Sequence, residues 1–309
     1  MKKNSKIYIA GHTGLVGSSL ERILKKKGYK NILVKTHNEL DLRDQKATRE
    51  FFEKEKPEYV FMTAGKVGGI HANMTYSAEF IYDNLQIQTN LIHCSWENKV
   101  EKLMYFGSCC AYPTESPQPI KEEYLLTGKL EITNEPFAVA KLAGIKMCQA
   151  YNKQYGSNFI SIIPSNLYGP NDNFNAENAH VIGMTITQIE RAKEKNLKSI
   201  VFGGTGTPIR DWLYVDDLAE ACFFLMKNYN SPEIINVGTG KGVSKKEIIF
   251  KIKEIAKFKG EILFDENKPD GMLKRVLDIN KINSFGWKAK TNLDKGLKKT
   301  YNWFLKNKK

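Results

Sequence analysis

The sequence predicts a doubly wound α/β fold: a parallel sheet flanked by helices, with a smaller α/β lobe built mainly from the C-terminal half. Three observations carry this. A short apolar run, Ile7-Tyr8-Ile9-Ala10, is followed at once by a glycine-rich loop and an amphipathic stretch. Apolar runs and helical patterns then alternate through the first half, the rhythm of βαβ units, whose right-handed crossovers give a parallel sheet. The length, 309 residues, suits two domains or one large domain carrying a smaller one.

The elements follow in order. Gly11-His12-Thr13-Gly14-Leu15-Val16-Gly17 leads from the first strand into a helix over residues 18–27, with Leu20, Ile23 and Leu24 on one face. In that setting glycines let the chain turn tightly and bring backbone N–H groups against a pyrophosphate at the positive end of the helix. Gly11, Thr13, Gly14, Leu15, Val16 and Gly17 are therefore expected to cradle a dinucleotide. The second strand, residues 31–35, ends in Lys35-Thr36-His37, with no carboxylate before Glu39. An acid at this point would hold a ribose 2′-hydroxyl. Lys35 and His37 instead suit a 2′-phosphate, so NADP(H) is expected over NAD. Asp41 and Leu42, a strand over 59–63 followed by Ala64, a helix over 79–96 and a strand over 103–106 continue the alternation. Asp41, Leu42 and Ala64 are expected among the cofactor contacts.

Composition narrows the function classes. With 41% apolar, 26% charged and 11% aromatic residues, the chain is ordinary globular protein, not disordered or collagenous. No apolar run approaches the roughly 18 residues that span a bilayer, and no signal-peptide core opens the chain, so a soluble, cytoplasmic protein is expected. Five cysteines without a C-x-x-C pair argue against a disulfide framework or a structural zinc, and no metal is expected. Cys109, Cys148 and Cys222 read as small buried hydrophobes. The net charge of +13 is concentrated at the C-terminal end, where residues 241–309 hold 19 basic and 8 acidic side chains. Those lysines lack interleaved aromatics and any nucleic-acid motif. They read as a solvated surface, with neither nucleic acid nor membrane as partner. Gly238-Thr239-Gly240-Lys241 is similar to a phosphate loop, but Gly242 stands where Ser or Thr belongs. It reads better as a turn after the strand Ile235-Asn236-Val237, before a helix capped by Ser244.

The strand ending at Phe106 runs into Gly107-Ser108-Cys109-Cys110-Ala111-Tyr112-Pro113. Ligands of such sheets bind beyond the carboxyl ends of the strands, which places Ser108 to hydrogen-bond a substrate oxygen, with Cys109 and Cys110 beside it. Asn134-Glu135-Pro136-Phe137-Ala138-Val139-Ala140-Lys141 opens a helix to about residue 155 and stacks Phe137 and Lys141, four apart, on one face.

With residues 11–17, Lys66-Val67-Gly68-Gly69-Ile70, Asn73, residues 108–113, 134–141 and 164–170, Asp172-Asn173-Phe174, His180-Val181-Ile182, Arg210, Asp216-Asp217 and Lys268-Pro269-Asp270-Gly271, the chain resembles the extended short-chain dehydrogenase/reductases. Within them it is similar to the GDP-L-fucose synthase group, over essentially its whole length. The Val-Gly-Gly and Asn-Asp-Asn-Phe segments are specific to that group. The resemblance implies a Rossmann-type nucleotide domain and a sugar-nucleotide lobe, NADPH, and a GDP-4-keto-6-deoxy-hexose that is epimerised at carbons 3 and 5 and reduced at carbon 4. It implies a reductase triad of Ser108, position 137 and Lys141, and an epimerisation acid/base pair of Cys110 and His180. Pro164, Asn166, Leu167, His180 and Lys141 would touch the cofactor. Ser108, Asn166, Arg210, Asp270, Lys274 and Arg275 would touch the substrate, the arginines and Lys274 as pyrophosphate and ribose partners. A homodimer is expected.

Position 137 departs from the group, which has Tyr-x-x-x-Lys; here a phenyl ring fills the space and has no proton to give. Two readings stay open: a Tyr→Phe replacement in an otherwise intact site, or a chain that has given up the reduction. The retained Ser108, Lys141, Cys110 and His180 favour the first, and in either case reduction should be poor. The group also has a tryptophan where Gly203 stands and an arginine near Thr187 and Gln188. Phe202 would replace the stacking ring, or the nucleotide is not GDP. A nucleotide domain of 1–164 plus about 212–236 and a sugar-nucleotide lobe of about 165–211 plus 237–309 follow from these placements.

Overall fold

The structure, a computed structural model, describes residues 1–175 and 179–308. The chain runs β1 (Ile7–Ala10), α1 (Leu15–Lys26), β2 (Ile32–Leu33), α2 (Gln45–Glu55), β3 (Tyr59–Met62), α3 (Ile70–Thr75), α4 (Ser77–Glu97), β4 (Lys102–Phe106), α5 (Glu135–Tyr155) and β5 (Phe159–Pro164). It continues through β6 (Asn166–Tyr168), α6 (Val181–Glu194), β7 (Ser199–Gly203), β8 (Ile209–Tyr214), α7 (Val215–Asn228), β9 (Ile235–Val237), β10 (Gly242–Ser244), α8 (Lys245–Ala256), β11 (Glu261–Asp265), β12 (Lys274–Arg275), α9 (Asn280–Ser284) and α10 (Leu293–Asn307).

Six parallel strands form the large sheet in the order β2-β1-β3-β4-β5-β9. Its strands are apolar on both faces because helices cover both. Ile7 and Ile9 of β1 point into one core with Leu20 and Leu24 of α1 and Leu218 and Leu225 of α7. Tyr8 and Ala10 point into the other, with Phe52 of α2, Leu91 of α4 and Ile145 of α5. Period-two alternation splits the strand between two hydrophobic layers. The doubly wound arrangement is the one the alternation predicts.

Three local expectations are corrected. The helix after the glycine loop starts at Leu15, three residues earlier than the apolar pattern suggested, so the second half of the loop is already helical. The second strand is two residues long instead of five, because Lys35 and the residues after it turn away to pair with Glu39. Trp212 does not return to the large sheet. It lies in β8, which pairs with β6, β10 and β12, and β9 is the next strand to join β5. A third core, among them Ile186, Phe202, Trp212, Ile249 and Phe304, lies under this smaller sheet, α6, α8 and α10. Among the described residues no helix is long and apolar enough to cross a membrane.

Candidate functional site

The glycine loop fits a bound pyrophosphate. Gly11 has φ of +84°, and a Cβ there would lie 2.7 Å from the Ala64 nitrogen; one on Gly17 would lie 2.2 Å from the Gly11 carbonyl oxygen. Close packing of loop, helix and neighbouring strand end thus demands glycine at both positions. The first turn of α1 has no acidic residue and no side chain capping its N–H groups, which leaves donors for an anion. His12 Nδ1 in the same loop is buried without a partner. Thr13 and Gly14 are exposed at the bend, and Leu15 and Val16 start the helix.

The end of β2 is more occupied. Lys35 lies 3.5 Å from Glu39, and His37 lies 3.8 Å from Asp41. Glu39 accepts hydrogen bonds from the Thr36 nitrogen and hydroxyl, at 2.8 and 2.7 Å. Asp41 accepts from Arg43 Nε and Nη2, and this holds its carboxyl down at about 2. Lys35 is half-buried and His37 is exposed at this end of the sheet. Leu42 instead turns its side chain into the second core, and its carbonyl accepts from Asn90 Nδ2.

The carboxyl end of β4 gathers the chemistry. Ser108 Oγ accepts from the Cys110 nitrogen at 3.2 Å, which turns the chain into a short 3-10 helix over Cys109–Ala111. This places Cys110 beside Ala72, Phe80 and Phe137. Helix α5, started by Pro136 in its first turn, presents Phe137 and Lys141 one turn apart. Phe137 packs edge-on to Phe80, centroids 6.2 Å apart. Lys141 Nζ donates to the Phe106 carbonyl at 3.0 Å and stands 5.8 Å from the Phe137 centroid. Burial pushes its pKa down to about 8. With no phenol at 137, its ring neighbours are Phe137 and, at 5.3 Å, Tyr105, whose hydroxyl donates to Gln88 Oε1.

The Cys110 sulfur accepts from Asn134 Nδ2 at 3.6 Å and from Arg275 Nη1 at 3.1 Å. Its thiol is held well below the usual range, first by a hydrogen bond from Cys109 and, against the cost of burial, by the Arg275 guanidinium. His180 is the N-cap residue of α6. It is exposed, and desolvation by the surrounding protein disfavours its charged form, with the Cys110 sulfur acting the other way.

Pro164 ends β5, and Asn166 and Leu167 begin the adjoining β6, where Asn166 Nδ2 donates to the Asp211 carbonyl at 3.2 Å. Arg210 donates to its neighbouring Ile209 carbonyl, and burial, with Arg275 close by, pushes it down to about 10. Asp270 accepts from the Thr205 nitrogen and hydroxyl, which ties down the turn after β7. Lys274 is exposed.

Two residues differ in place from the sequence expectation. Phe202 is 1% exposed in the lobe core, so its ring offers no face to a base. It alternates with exposed Val201 and shares its face with Ile200, and that period-two pattern is the signal that could have told its direction. Arg275 is also buried, with its side chain on Cys110. Nothing in the sequence pattern marks Asn134, which donates to the Cys110 sulfur, or Lys245, which donates to the Gly203 carbonyl. Thr187 is buried and spends its hydroxyl on the Phe174 carbonyl.

Residues 7–238 match the model of the NAD dependent epimerase/dehydratase family. GDP-L-fucose synthase 1 of Arabidopsis thaliana is 50% identical over 305 residues, covering 99% of this chain and 94% of that protein. The crystal structure of a GDP-6-OMe-4-keto-L-xylo-heptose reductase from C. jejuni is 40% identical with a TM-score of 0.94, covering 99% of each chain. A GDP-mannoheptose C4 reductase from Campylobacter jejuni, solved with NADP bound, is 41% identical with a TM-score of 0.90, again over 99% of each chain. The chain belongs to the NAD dependent epimerase/dehydratase family.

Proposed function

We propose that the chain is an NADP(H)-dependent enzyme of nucleotide-sugar metabolism, a 3,5-epimerase/4-reductase of a GDP-4-keto-6-deoxy-hexose, working in the cytoplasm as a homodimer. The observation that carries this is the meeting of Ser108, Cys110, position 137 and Lys141 at the carboxyl end of β4, in a chain 50% identical to a GDP-L-fucose synthase.

Protons on carbons beside a ketone are acidified, and a thiolate and an imidazole are suited to remove and return them. Cys110 and His180 take those roles. Ser108 hydrogen-bonds the 4-ketone oxygen. NADPH, when bound on the glycine loop, supplies the hydride for carbon 4. Lys141 holds the nicotinamide ribose. What the chain lacks is a phenol at 137 to protonate the alkoxide.

A second reading, a different nucleotide 4-keto sugar, is favoured by the substrate lobe. Gly203, buried Phe202 and buried Thr187 provide neither the aromatic face nor the arginine that the GDP-L-fucose synthase group uses.

The test supplies GDP-4-keto-6-deoxy-D-mannose and NADPH in deuterated water. Exchange at carbons 3 and 5 with slow NADPH oxidation is expected. Phe137→Tyr should raise NADPH oxidation at least a hundredfold with little change in cofactor affinity, since a positioned proton donor contributes about 10²–10⁴ in rate. A Phe protein that already turns over as fast as the Tyr variant would refute the assignment of that helix face. Light scattering tests the dimer.

A further inference from the structure

We propose that Arg275 is the positioning residue that holds Cys110 as a thiolate, ready to take a proton from the carbon beside the substrate ketone. The substrate class rests on the function proposed above; the thiolate does not.

Arg275 is 5% exposed, and its backbone is tied on both sides. It pairs with Arg210 across β12 and β8. The next residue, Val276, donates to Gln118 Oε1 at 2.9 Å and accepts from the Ile120 nitrogen at 2.8 Å. The side chain is aimed by two sulfurs: Nε donates to Met272 Sδ at 3.3 Å and Nη1 to Cys110 Sγ at 3.1 Å. Among the described residues it makes no ion pair with a carboxylate.

A guanidinium does not give up its proton in a protein. Buried without a counter-charge it is costly, so a neighbouring group must supply the negative end. Two thiols beside the guanidinium can ionise, Cys109 and Cys110, and it is the Cys110 sulfur that Nη1 meets at 3.1 Å. That sulfur's other polar neighbours work the same way: Asn134 Nδ2 at 3.6 Å, the Cys109 thiol and the Ser108 hydroxyl, with His180 and Arg210 close by. They oppose the cost of burial beside Ala72, Phe80 and Phe137 and favour sulfur as an acceptor, hence as a thiolate. With substrate in place, the C–H bond beside the ketone breaks and its proton passes to Sγ. The bonding pair moves toward the carbonyl carbon, and the carbonyl π pair moves onto oxygen as an enolate.

The sequence suggested a different task for Arg275, holding a pyrophosphate or ribose. The two tasks separate by experiment. The thiolate's ultraviolet absorbance is titrated against pH in the protein without substrate, with Cys110→Ser as the blank. The wild-type midpoint is expected below the ordinary thiol value of about 8.5. Arg275→Met should raise it by about one unit or more, as loss of an adjacent opposite charge does, and Arg275→Lys should keep most of the shift. Exchange beside the ketone at neutral pH should fall about tenfold in Arg275→Met, matching one unit of thiol pKa, with KM little changed. An ordinary wild-type midpoint overturns the proposal. So does an unmoved midpoint in Arg275→Met with a raised KM, which identifies a phosphate holder. Should Arg275→Met not fold, the wild-type titration and Arg275→Lys decide the matter. If the midpoints behave as expected and no exchange is seen with the supplied sugar nucleotide, the substrate assignment falls and the thiolate stands.

Discussion

Two glycine-rich turns in this chain follow strands of the same sheet and lie ahead of helices of equal length, yet they use their N–H groups in opposite ways. After β1, residues 11–14 lead directly into α1, 12 residues long, whose first turn has no capping side chain and no acid. After β9, Gly238-Thr239-Gly240 leads by way of β10 into α8, also 12 residues. That second turn is already filled by an anion from its own chain. The Asp211 carboxylate accepts from the Thr239 nitrogen at 3.0 Å, the Gly240 nitrogen at 3.0 Å and the Thr239 hydroxyl at 2.5 Å. The backbone approaches so closely that a Cβ on Gly238 would lie 2.3 Å from Asp211 Oδ2. Helix α8 is in turn capped by Ser244, whose Oγ accepts from the Glu247 nitrogen at 3.1 Å. Glycines permit close approach in both places. Which turn can receive a phosphate is decided by whether side chains have already taken its donors.

The largest effect should come from emptying the filled turn. Asp211 is 0% exposed, and burial raises its pKa while its three donors work the other way. Asp211→Ala takes the shared acceptor away from those donors and leaves a hole where the carboxylate was fully buried. Hydrogen bonds to a charged group are worth about 1.5–3 kcal/mol each, so a loss of about 3 kcal/mol or more in urea unfolding is expected. A loss under about 1 kcal/mol, the net worth of one ordinary hydrogen bond, would mean that the carboxylate does not organise the turn.

Next is the reverse operation, filling the open turn. Gly14 has φ of −79°, and a Cβ there would meet only the Gly11 carbonyl at 3.6 Å, so a side chain fits. Gly14→Asp would cap α1 with its own carboxylate and set that charge against a pyrophosphate. NADPH affinity is expected to fall at least a hundredfold, about 2.7 kcal/mol, while the thermal midpoint without cofactor holds or rises. Unchanged affinity would show that the helix terminus is not where the phosphates sit.

The same contrast explains which features could be read from the sequence. The first turn, the strand before it and the helix after it are contiguous, and Phe137 and Lys141 share a helix face by spacing alone. Local pattern is enough for such groups. The substrate lobe is assembled by pairing: β12 reaches β8 across more than sixty residues, and Arg275 meets a cysteine 165 positions earlier. No periodicity encodes either meeting. The sheet that Trp212 joins is hidden for the same reason, since an apolar strand residue does not announce its partner strands. The lone buried guanidinium could not be recognised either, because Lys274 and Arg275 look alike in sequence and only the register of β12 turns one out and the other in.

A smaller effect tests the other end of the open site. With Lys35 and His37 at the end of β2 and no free acid beside them, NADPH should bind at least tenfold more tightly than NADH, about 1.4 kcal/mol. Both cations already lie near carboxylates, Glu39 and Asp41, so a 2′-phosphate must compete for them, and this keeps the expected preference modest. Equal dissociation constants by fluorescence titration would remove the 2′-phosphate from this corner. Lys35→Ala should narrow the preference.

The smallest effect sharpens the comparison most directly, because it exchanges the caps. Ser244→Ala removes the hydroxyl that accepts from Glu247 and leaves α8 as uncapped as α1. Replacing such a residue by Ala costs typically about 1 kcal/mol, read as a shift in the urea midpoint at constant slope. Gly14→Ser makes the opposite change. Glycine is itself a fair N-cap, so the free protein should gain only about a few tenths of a kcal/mol. That gain should be paired with weaker NADPH binding, because the added oxygen takes a donor the cofactor uses. Ser244→Ala should leave NADPH affinity alone. If instead both variants shift stability and neither touches the cofactor, capping and anion binding are independent in this protein. The two turns would then differ for a reason other than the occupancy of their N–H groups.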